Sequence, residues 1–464
     1  MKPIPAKAVS NFIYPLHEKF MHRPTFAYLK QLEQSQWLTR KEIEQLQLQK
    51  LKQLLIVARD HCPWHSGNIE QARLDLSPDS ELTFQDVQKL PLLDKRTAQE
   101  FGDQMVWKDV PGGAHLYNTG GSSGSPLIFY FGRWRQASDA AGRMRARHWF
   151  GVKVGAPEVY LWGAPVELNK TDKIKTIRDR LINQLVLNAF EMSARNMDEY
   201  SSSIQAFNPE CIYGYASSIA LLAAHIKDRA IKITLPKLKI VCTTGEPLYD
   251  DQRQLIQSVF KVPAANEFGS RDIGFTAHES PQGQMLLMSE SIIMEVLDAH
   301  GNPVVPGESG EAVLTGLCSD AQPLIRYRTG DVVRMSEENC SEGRGLHVID
   351  QVSGRTTDFV VKADGTVMHA LAVIYVLRAV KGVGEFKFIQ QSVDFVEAEV
   401  VPNTLWTDES EQKIRQGLKG RLGEDITVKV NLVDAIAPEA SGKYRYVVSH
   451  VPLPTGVSFS DSNQ

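Results

Sequence analysis

The stretch that decides the fold is Thr119-Gly120-Gly121-Ser122-Ser123-Gly124-Ser125-Pro126, which holds three glycines and three serines. An apolar run, 127–131, follows it. Glycine allows backbone conformations and close approaches that a Cβ forbids. A turn rich in N–H groups and hydroxyls can therefore hold a phosphate. The same composition also fits a Gly/Ser hairpin between two strands. No Gly-Lys-Ser/Thr follows, so this is not the ordinary P-loop.

Further motifs follow downstream in a fixed order. They are Thr244-Gly245-Glu246-Pro247, Glu267-Phe268-Gly269-Ser270-Arg271-Asp272, Arg326-Tyr327-Arg328-Thr329-Gly330-Asp331, Gly354-Arg355 and Ser441-Gly442-Lys443. In this order the motifs resemble the core motifs of the adenylate-forming superfamily, which comprises acyl- and aryl-CoA ligases, peptide-synthetase adenylation domains and luciferases. The likeness is greatest to the phenylacetate-CoA ligase group with its CapK-like members, and it runs from about Trp37 to Val451.

The resemblance implies an ATP-dependent ligase. A carboxylate would attack the α-phosphate of ATP, giving an acyl- or aryl-adenylate and pyrophosphate, and coenzyme A would then accept the acyl group. Because two anions must be brought together, we expect positioning and charge neutralisation to dominate. An amine or sugar acceptor, giving an amide or ester, is a second hypothesis. A non-catalytic nucleotide-binding protein of surface-polysaccharide assembly is a third, and the retention of Asp331 with Lys443 argues against it.

The resemblance also assigns nucleotide contacts. The β- and γ-phosphates would lie on Thr119, Gly120, Gly121, Ser122, Ser123 and Gly124. Gly245, Glu246 and Pro247 would line the adenine slot, on which Phe268 would stack, and Glu267, Gly269 and Ser270 complete that side of the site. Asp331 would accept hydrogen bonds from the ribose hydroxyls, since an anion is a strong acceptor. Arg355 would contact the nucleotide from the domain junction.

Three residues are expected to act on the reacting groups. Lys443 matches the family's C-terminal lysine, which bridges the carboxylate and the α-phosphate. Asp272 matches the family's magnesium-binding glutamate, and a carboxylate oxygen suits that ion. Arg271 stands where the family usually has a hydroxyl, and it could bind phosphate directly. The alternative is that Arg271 and Asp272 neutralise each other. The pattern Ala277-His278-Glu279-Ser280-Pro281 lacks a cysteine, so no structural zinc is expected; zinc on His278 with Cys318 is the alternative.

Composition restricts the class of protein. The chain has 464 residues, a net charge of −4 and 23% charged residues, with no basic block that would indicate a nucleic-acid partner. Its five cysteines lack metal-ligand spacing, so reduced thiols and a cytoplasmic location are expected. No apolar run is long enough to span a membrane. The sequence leaves a homodimer open.

Apolar runs alternate with helical patterns between residues 159 and 260, which predicts an α/β fold with a mostly parallel sheet. Ligands of such sheets bind at the carboxyl ends of the strands. We predict a large domain, 1–353, for ATP and acid, and a small mobile α+β lid domain, 354–464, that carries the lysine. Residues 1–36 are expected to be irregular, and most of the arginines between 133 and 147 to lie on a solvated helix face. The candidates for the acyl pocket are Trp162, Tyr213, Tyr215 and His278, each of which also fits the protein core.

Overall fold

The computed structural model describes residues 3–118, 128–162, 177–189, 192, 194–355, 359–364, 367–369, 371–436 and 446–451. The chain divides into two compact units. The first comprises Met1–Met294, Leu314–Arg328 and Ser336–Asp350, and the second Glu295–Val313, Thr329–Met335 and Gln351–Gln464. Within the described ranges, no helix combines the length and apolar character that crossing a membrane requires.

The first unit begins with helices, so the prediction of an irregular segment at 1–36 is wrong. Val9, Tyr28 and Leu32 lie in the core, and this burial holds in helical form a segment with weak sequence periodicity. The spacing of Thr39 and Glu42 in the sequence predicts a capping box, and the structure has it at the start of α4. The helices are α1 (Ala6–Ala8), a π-helical turn (Val9–Ile13), α2 (Tyr14–Phe20), α3 (Thr25–Ser35), α4 (Arg40–His61), α5 (Pro63–Gln71), α6 (Phe84–Gln88), α7 (Lys95–Glu100) and a 3₁₀ turn (Gly102–Gln104).

The α/β class is confirmed by a large mixed sheet in the first unit. An antiparallel hairpin, β1 (His115–Asn118) with β2 (Ile128–Phe131), precedes it. The sheet strands are β3 (Glu158–Trp162), β4 (Gln184–Asn188), β5 (Cys211–Tyr215), β6 (Ile240–Thr244), β7 (Ala264–Ser270), β8 (Gly274–Glu279), β9 (Met285–Leu287) and β13 (Val348–Arg355). Their order is β4-β3-β5-β6-β7-β8-β9-β13. The first five are parallel and the remaining pairs are antiparallel.

Helices cover the sheet, as short apolar strands between helices predict. They are α8 (Arg133–Trp149), α9 (Ala194–Phe207), α10 (Ala216–Asp228) and α11 (Asp250–Phe260). Ile204, Leu222 and Ile256 from α9, α10 and α11 join Val159 and Ile212 of the sheet in one apolar cluster. Helix α8 packs against β8 through Ala146, whose cluster contains Phe275 and Met288.

The second unit is rich in strands. Four strands pair in the order β10 (Ile292–Leu297), β11 (Ser309–Gly316), β12 (Tyr327–Met335) and β13, and β14 (Phe359–Val361) pairs with β15 (Val367–His369). A separate sheet has the order β18 (Thr427–Leu432), β17 (Phe395–Pro402), β16 (Val383–Ser392) and β19 (Val447–Ser449). Its helices are α12 (Leu371–Arg378) and α13 (Asp408–Leu422).

The buried amide of Gln390 joins the sheet of the second unit to β14. Its Nε2 donates to the Val361 carbonyl oxygen at 2.6 Å, and its Oε1 accepts from the Val361 N–H at 2.9 Å. The sequence predicts two short strands, 385–391 and 395–401, and a helix near 409–421, and β16, β17 and α13 are present there. The predicted boundary after Ser353 lies within β13, close to Gln351, where the last segment of the second unit begins.

Candidate active site

Two of the predicted motifs stand side by side at the carboxyl ends of β6 and β7. Thr244, the last residue of β6, is in register with Glu267 of β7. Gly245 follows with a φ of 77°, a left-handed conformation that favours glycine over residues with a Cβ. Glu246 is half-buried and Pro247 is exposed. The parallel strands therefore bring the predicted adenine slot next to the predicted magnesium motif, at the sheet edge where such folds bind ligands.

The turn between β7 and β8 is fixed by Arg135 of helix α8. The Arg135 guanidinium donates to the carbonyl oxygens of Arg271, at 2.7 Å, and Asp272. Ser270 Oγ accepts from the Ile273 N–H at 3.3 Å. A Cβ on Gly269 would lie 2.5 Å from the Gly274 carbonyl oxygen, so the backbones approach too closely for a side chain there. The contacts of Arg135, and the close packing of Gly269 against Gly274, therefore fix the backbone of the segment that carries Asp272.

Arg271 lies close to an aromatic side chain. Its guanidinium lies 5.8 Å from the centre of the ring of Tyr117, which belongs to β1 just before the Gly/Ser stretch. Within the described part of the chain, the Asp272 carboxylate makes no ion pair. Thr119, Gly120, Gly121, Ser122, Ser123 and Gly124 lie outside the described residues, between the ends of β1 and β2.

The buried acid Glu267 forms an ion pair with Arg143 beside these segments. Arg143 Nε and Nη2 each lie 3.2 Å from Glu267 Oε1, which also accepts from the Tyr213 hydroxyl at 3.0 Å and the Thr244 hydroxyl at 3.2 Å. Burial alone would raise the pKa of the Glu267 carboxyl, but the charges of Arg143 and Arg147 hold the pKa below its ordinary value. The carboxylate therefore stays charged inside the protein.

The prediction of a solvated arginine face on α8 is wrong. Arg145 is fully buried, and its Nη1 lies 2.5 Å from Glu290 Oε1. Arg147 Nε lies 2.8 Å from Glu158 Oε2. Arg135, Asp139, Arg143 and Arg147 recur every four residues and so lie on one face of the helix. This spacing is a signal in the sequence that the four side chains share one face, but it does not report the distant groups that they contact. Arg143 and Arg147 pair with Glu267 and Glu158.

Three of the four residues predicted for the acyl pocket form an aromatic stack. The Trp162 ring lies 4.4 Å from the Tyr215 ring at an interplanar angle of 16°, and 5.7 Å from the Tyr213 ring at 23°. They belong to β3 and β5, neighbouring parallel strands. His278 lies apart from the stack, at 6.1 Å from the Phe150 ring. Burial lowers the pKa of His278, so its ring is neutral at pH 7.

The remaining predicted residues belong to the second unit. Asp331 lies in β12, half-buried, and its N–H donates to Thr329 Oγ1 at 3.0 Å. Thr329 Oγ1 in turn donates to the Ala312 carbonyl oxygen at 2.9 Å, which fixes the position of the Thr329 side chain. Arg355 ends β13 and its side chain lies outside the described residues, as does all of Lys443. The roles of these three residues stay predictions.

A magnesium ion held by phosphates needs only one or two protein carboxylates. Asp272 offers such a carboxylate, half-buried beside Arg271. No cluster of three or more His, Cys, Asp or Glu suited to a metal exists in the described ranges. The residues present therefore fit a cation shared with phosphate, which would neutralise the phosphate charge when bound.

Comparison with known proteins adds independent observations. The model of the CapK C-terminal domain matches residues 360–450. The protein CapK of Staphylococcus aureus is 23% identical over 414 residues, which covers 88% of this chain and 90% of that protein. Phenylacetate-coenzyme A ligase of Thermus thermophilus is 23% identical over 345 residues, covering 70% of this chain and 73% of that protein.

The fold is also that of solved acid-CoA ligases. A structure of 2-hydroxyisobutyryl-CoA ligase in the postadenylation state superposes with a TM-score of 0.70 at 20% identity, over 90% of this chain and 91% of that one. ATP-bound MatB from Rhodopseudomonas palustris gives a TM-score of 0.51 at 14% identity, over 72% and 66%.

Along most of its length the chain is similar to CapK and to phenylacetate-CoA ligases, and its motifs resemble those of the adenylate-forming ligases. The motif order of the sequence and the similarity along most of the chain therefore agree. The described residues bring together the β6 and β7 motifs, Arg135, Arg143 and the aromatic stack. Of these, the sequence pointed to the motifs and the aromatic residues, and it missed Arg135 and Arg143.

Proposed function

We propose that the chain activates a carboxylic acid with ATP to an acyl- or aryl-adenylate and then transfers the acyl group to coenzyme A. The observation that carries this proposal is the adjacency of Thr244-Gly245-Glu246-Pro247 and Glu267–Asp272 at the ends of β6 and β7. The aromatic stack of Trp162 and Tyr215 lies on strands of the same sheet, on the side of β6 away from β7. A nucleotide site beside a largely buried aromatic stack suits an acid joined to AMP.

The charges beside the two motifs suit the first half-reaction. Attack of a carboxylate on a phosphate brings negative charges together, so the site must supply cations where charge accumulates. Arg271 is an exposed guanidinium, and the Asp272 carboxylate is available for magnesium. In the proposed reaction Lys443 neutralises the charge shared by carboxylate and α-phosphate. It would be delivered by the lid domain, 354–464.

The second part of the proposal concerns the acceptor of the acyl group. Relatives named as phenylacetate-coenzyme A ligases, and the neighbour 2-hydroxyisobutyryl-CoA ligase, support coenzyme A. An amine or sugar acceptor is the second candidate. Residues 360–450, which match the CapK C-terminal domain, belong to the predicted lid that serves the second half-reaction.

The two half-reactions can be tested separately. Exchange of labelled pyrophosphate into ATP, measured with a panel of aryl, hydroxy and short aliphatic acids, should occur with at least one acid and require magnesium. That acid is then incubated with ATP and either coenzyme A or an amine, and the product is identified by mass. Thioester formation supports coenzyme A, and amide formation supports the second candidate. Absence of exchange with every acid, in a folded protein that binds ATP, would remove the proposed activity.

A further inference from the structure

The N-terminal helical segment turns a row of large apolar side chains to the outside. Phe12, Leu16 and Phe20 are 71%, 69% and 80% exposed. Their spacing of four residues places them on one face of the segment formed by α1, the π-helical turn and α2. Single exposed apolar residues are ordinary, but a contiguous row on one helix face marks an interaction surface. We call Phe12, Leu16 and Phe20, together with Lys7 and Lys19, the N-terminal face.

The opposite side of the same segment is fixed in the protein. Val9 is fully buried, and a Cβ on Gly155 would lie 2.7 Å from the Ala6 carbonyl oxygen, so the segment packs tightly there. Glu18 is 2% exposed and accepts from the Thr25 hydroxyl at 2.5 Å and from His17 Nδ1 at 2.8 Å. The orientation of the segment is therefore set by these contacts, and the outward position of the three apolar side chains follows from it.

The exposed lysines of residues 3–23 are Lys7 and Lys19. The acid of this segment, Glu18, is buried and paired. Lys19 follows Leu16 by three residues and so lies on the same face. The whole chain carries a net charge of −4, so this basic surface is a local departure from the rest of the protein. Basic and apolar groups on one helix face are the pattern of segments that lie in a membrane interface.

We propose that the N-terminal face binds the surface of an anionic lipid bilayer. Phe12, Leu16 and Phe20 enter the boundary between headgroups and acyl chains, and Lys7 and Lys19 lie against the lipid phosphates. An anionic surface attracts each nearby lysine, and apolar burial then holds the helix in place. A second copy of the chain is the less suitable partner, because a twofold contact through this face would bring the like charges of Lys19 together. The proposal does not depend on the reaction that the chain catalyses.

Flotation of the full-length protein with vesicles tests the proposal. One set contains phosphatidylcholine alone and the other contains equal parts phosphatidylcholine and phosphatidylglycerol. We expect binding to the anionic vesicles at about 0.1 M salt and its loss at about 1 M, where the screening length falls from about 10 Å to about 3 Å. The double variant Phe12→Ser/Phe20→Ser and the charge-reversed Lys7→Glu/Lys19→Glu should each bind about tenfold less, since each contribution is required.

The matched control is Val305→Ser/Leu405→Ser, which removes two side chains that are 60% and 64% exposed in the second unit. It should bind vesicles like the wild type, and all variants should unfold at the same temperature. Failure of the wild type to float with anionic vesicles overturns the proposal, as does an equal loss in the control. If light scattering shows a dimer that Phe12→Ser/Phe20→Ser dissociates, while vesicles are not bound, the face is a contact between copies and the lipid proposal is wrong.

Discussion

Arg143 of helix α8 and Glu267 of strand β7 form an ion pair, with 3.2 Å between Nη2 and Oε1. The pair joins the helix that follows the Gly/Ser stretch to the strand that leads into Arg271 and Asp272. Tyr213, a member of the aromatic stack, donates to the same carboxylate oxygen. A single buried acid therefore holds the nucleotide motif, the helix and the predicted acyl surface in one arrangement.

Removal of Arg143 should destabilise the protein. In Arg143→Leu the Glu267 carboxylate loses its charged partner while it stays buried, and we expect the free energy of unfolding to fall by about 2 kcal/mol, discounted because the Arg143 side chain is one-third exposed. Urea unfolding at pH 7 measures the change. Arg195→Ala is the control, since Arg195 and Glu199 form an exposed pair whose loss should cost less than about 0.5 kcal/mol. If Arg143→Leu and the control are equally stable, Arg143 does not compensate the buried acid.

The aromatic stack should govern acid binding and leave nucleotide binding unchanged. Tyr215→Ala removes the ring that lies 4.4 Å from Trp162. The variant therefore lacks part of the aromatic stack against which the acid is proposed to lie. We expect the KM for the acid to rise about tenfold or more, from the loss of roughly 1.5 kcal/mol of apolar contact. The KM for ATP in the same variant is the internal control. An unchanged KM for the acid would place Tyr215 in the core and outside the substrate site.

Asp272 and Arg271 can be distinguished by their response to magnesium. Asp272→Asn should raise the magnesium concentration needed for pyrophosphate exchange, because a neutral amide binds a hard dication poorly. Asp272→Glu should be milder, since it keeps the charge and extends the reach. Magnesium titration of both variants, with Arg271→Ala alongside, checks this. If both Asp272 changes have mild effects and Arg271→Ala loses most of the exchange activity, Arg271 and not Asp272 is the residue that provides for neutralisation of the phosphate charge.

Lys443 should be needed for only one half-reaction. Lys443→Ala is expected to lose adenylation almost completely, because the lysine neutralises charge that exists while the α-phosphate is attacked. Transfer from a pre-formed acyl-adenylate to the acceptor should stay close to the wild-type rate. Single-turnover measurements of each half-reaction separate the two effects. Equal loss in both would make Lys443 a structural residue.

His65 should make the protein less stable in mild acid. The side chain is buried with Nε2 2.8 Å from the Pro323 carbonyl oxygen, and burial lowers its pKa to about 4. In the unfolded chain the pKa is about 6.5, so between these values only the unfolded chain binds the proton and stability falls as pH falls. Between pH 7 and pH 5 the loss from this residue should be about 2 kcal/mol. Urea unfolding at both values should show a smaller pH dependence in His65→Gln, and an unchanged one would contradict the assignment.

Local sequence determined much of this protein. Alternating apolar runs and helical periods predicted β3, β5, β6, α11 and the strands of the second unit, because each element carries its own repeat. The capping box at Thr39 fixed the start of α4 in the same way. Motif order alone pointed to the adenylate-forming ligases. These signals are contained in neighbouring residues, so they can be read before the chain is folded.

The tertiary structure decided which charges are buried and what they contact. Arg135 and Arg145 look like solvated charges in the sequence, but one holds the backbone of Arg271 and the other pairs with Glu290. Their partners are more than a hundred residues away, so no local pattern reports them. The N-terminal helices formed for the same reason, since burial of Val9 against a distant loop stabilised a segment with weak propensity. Whether an arginine of α8 is buried and which group it pairs with depend on the whole fold. These two properties distinguish the buried arginines of α8 from ordinary surface charges.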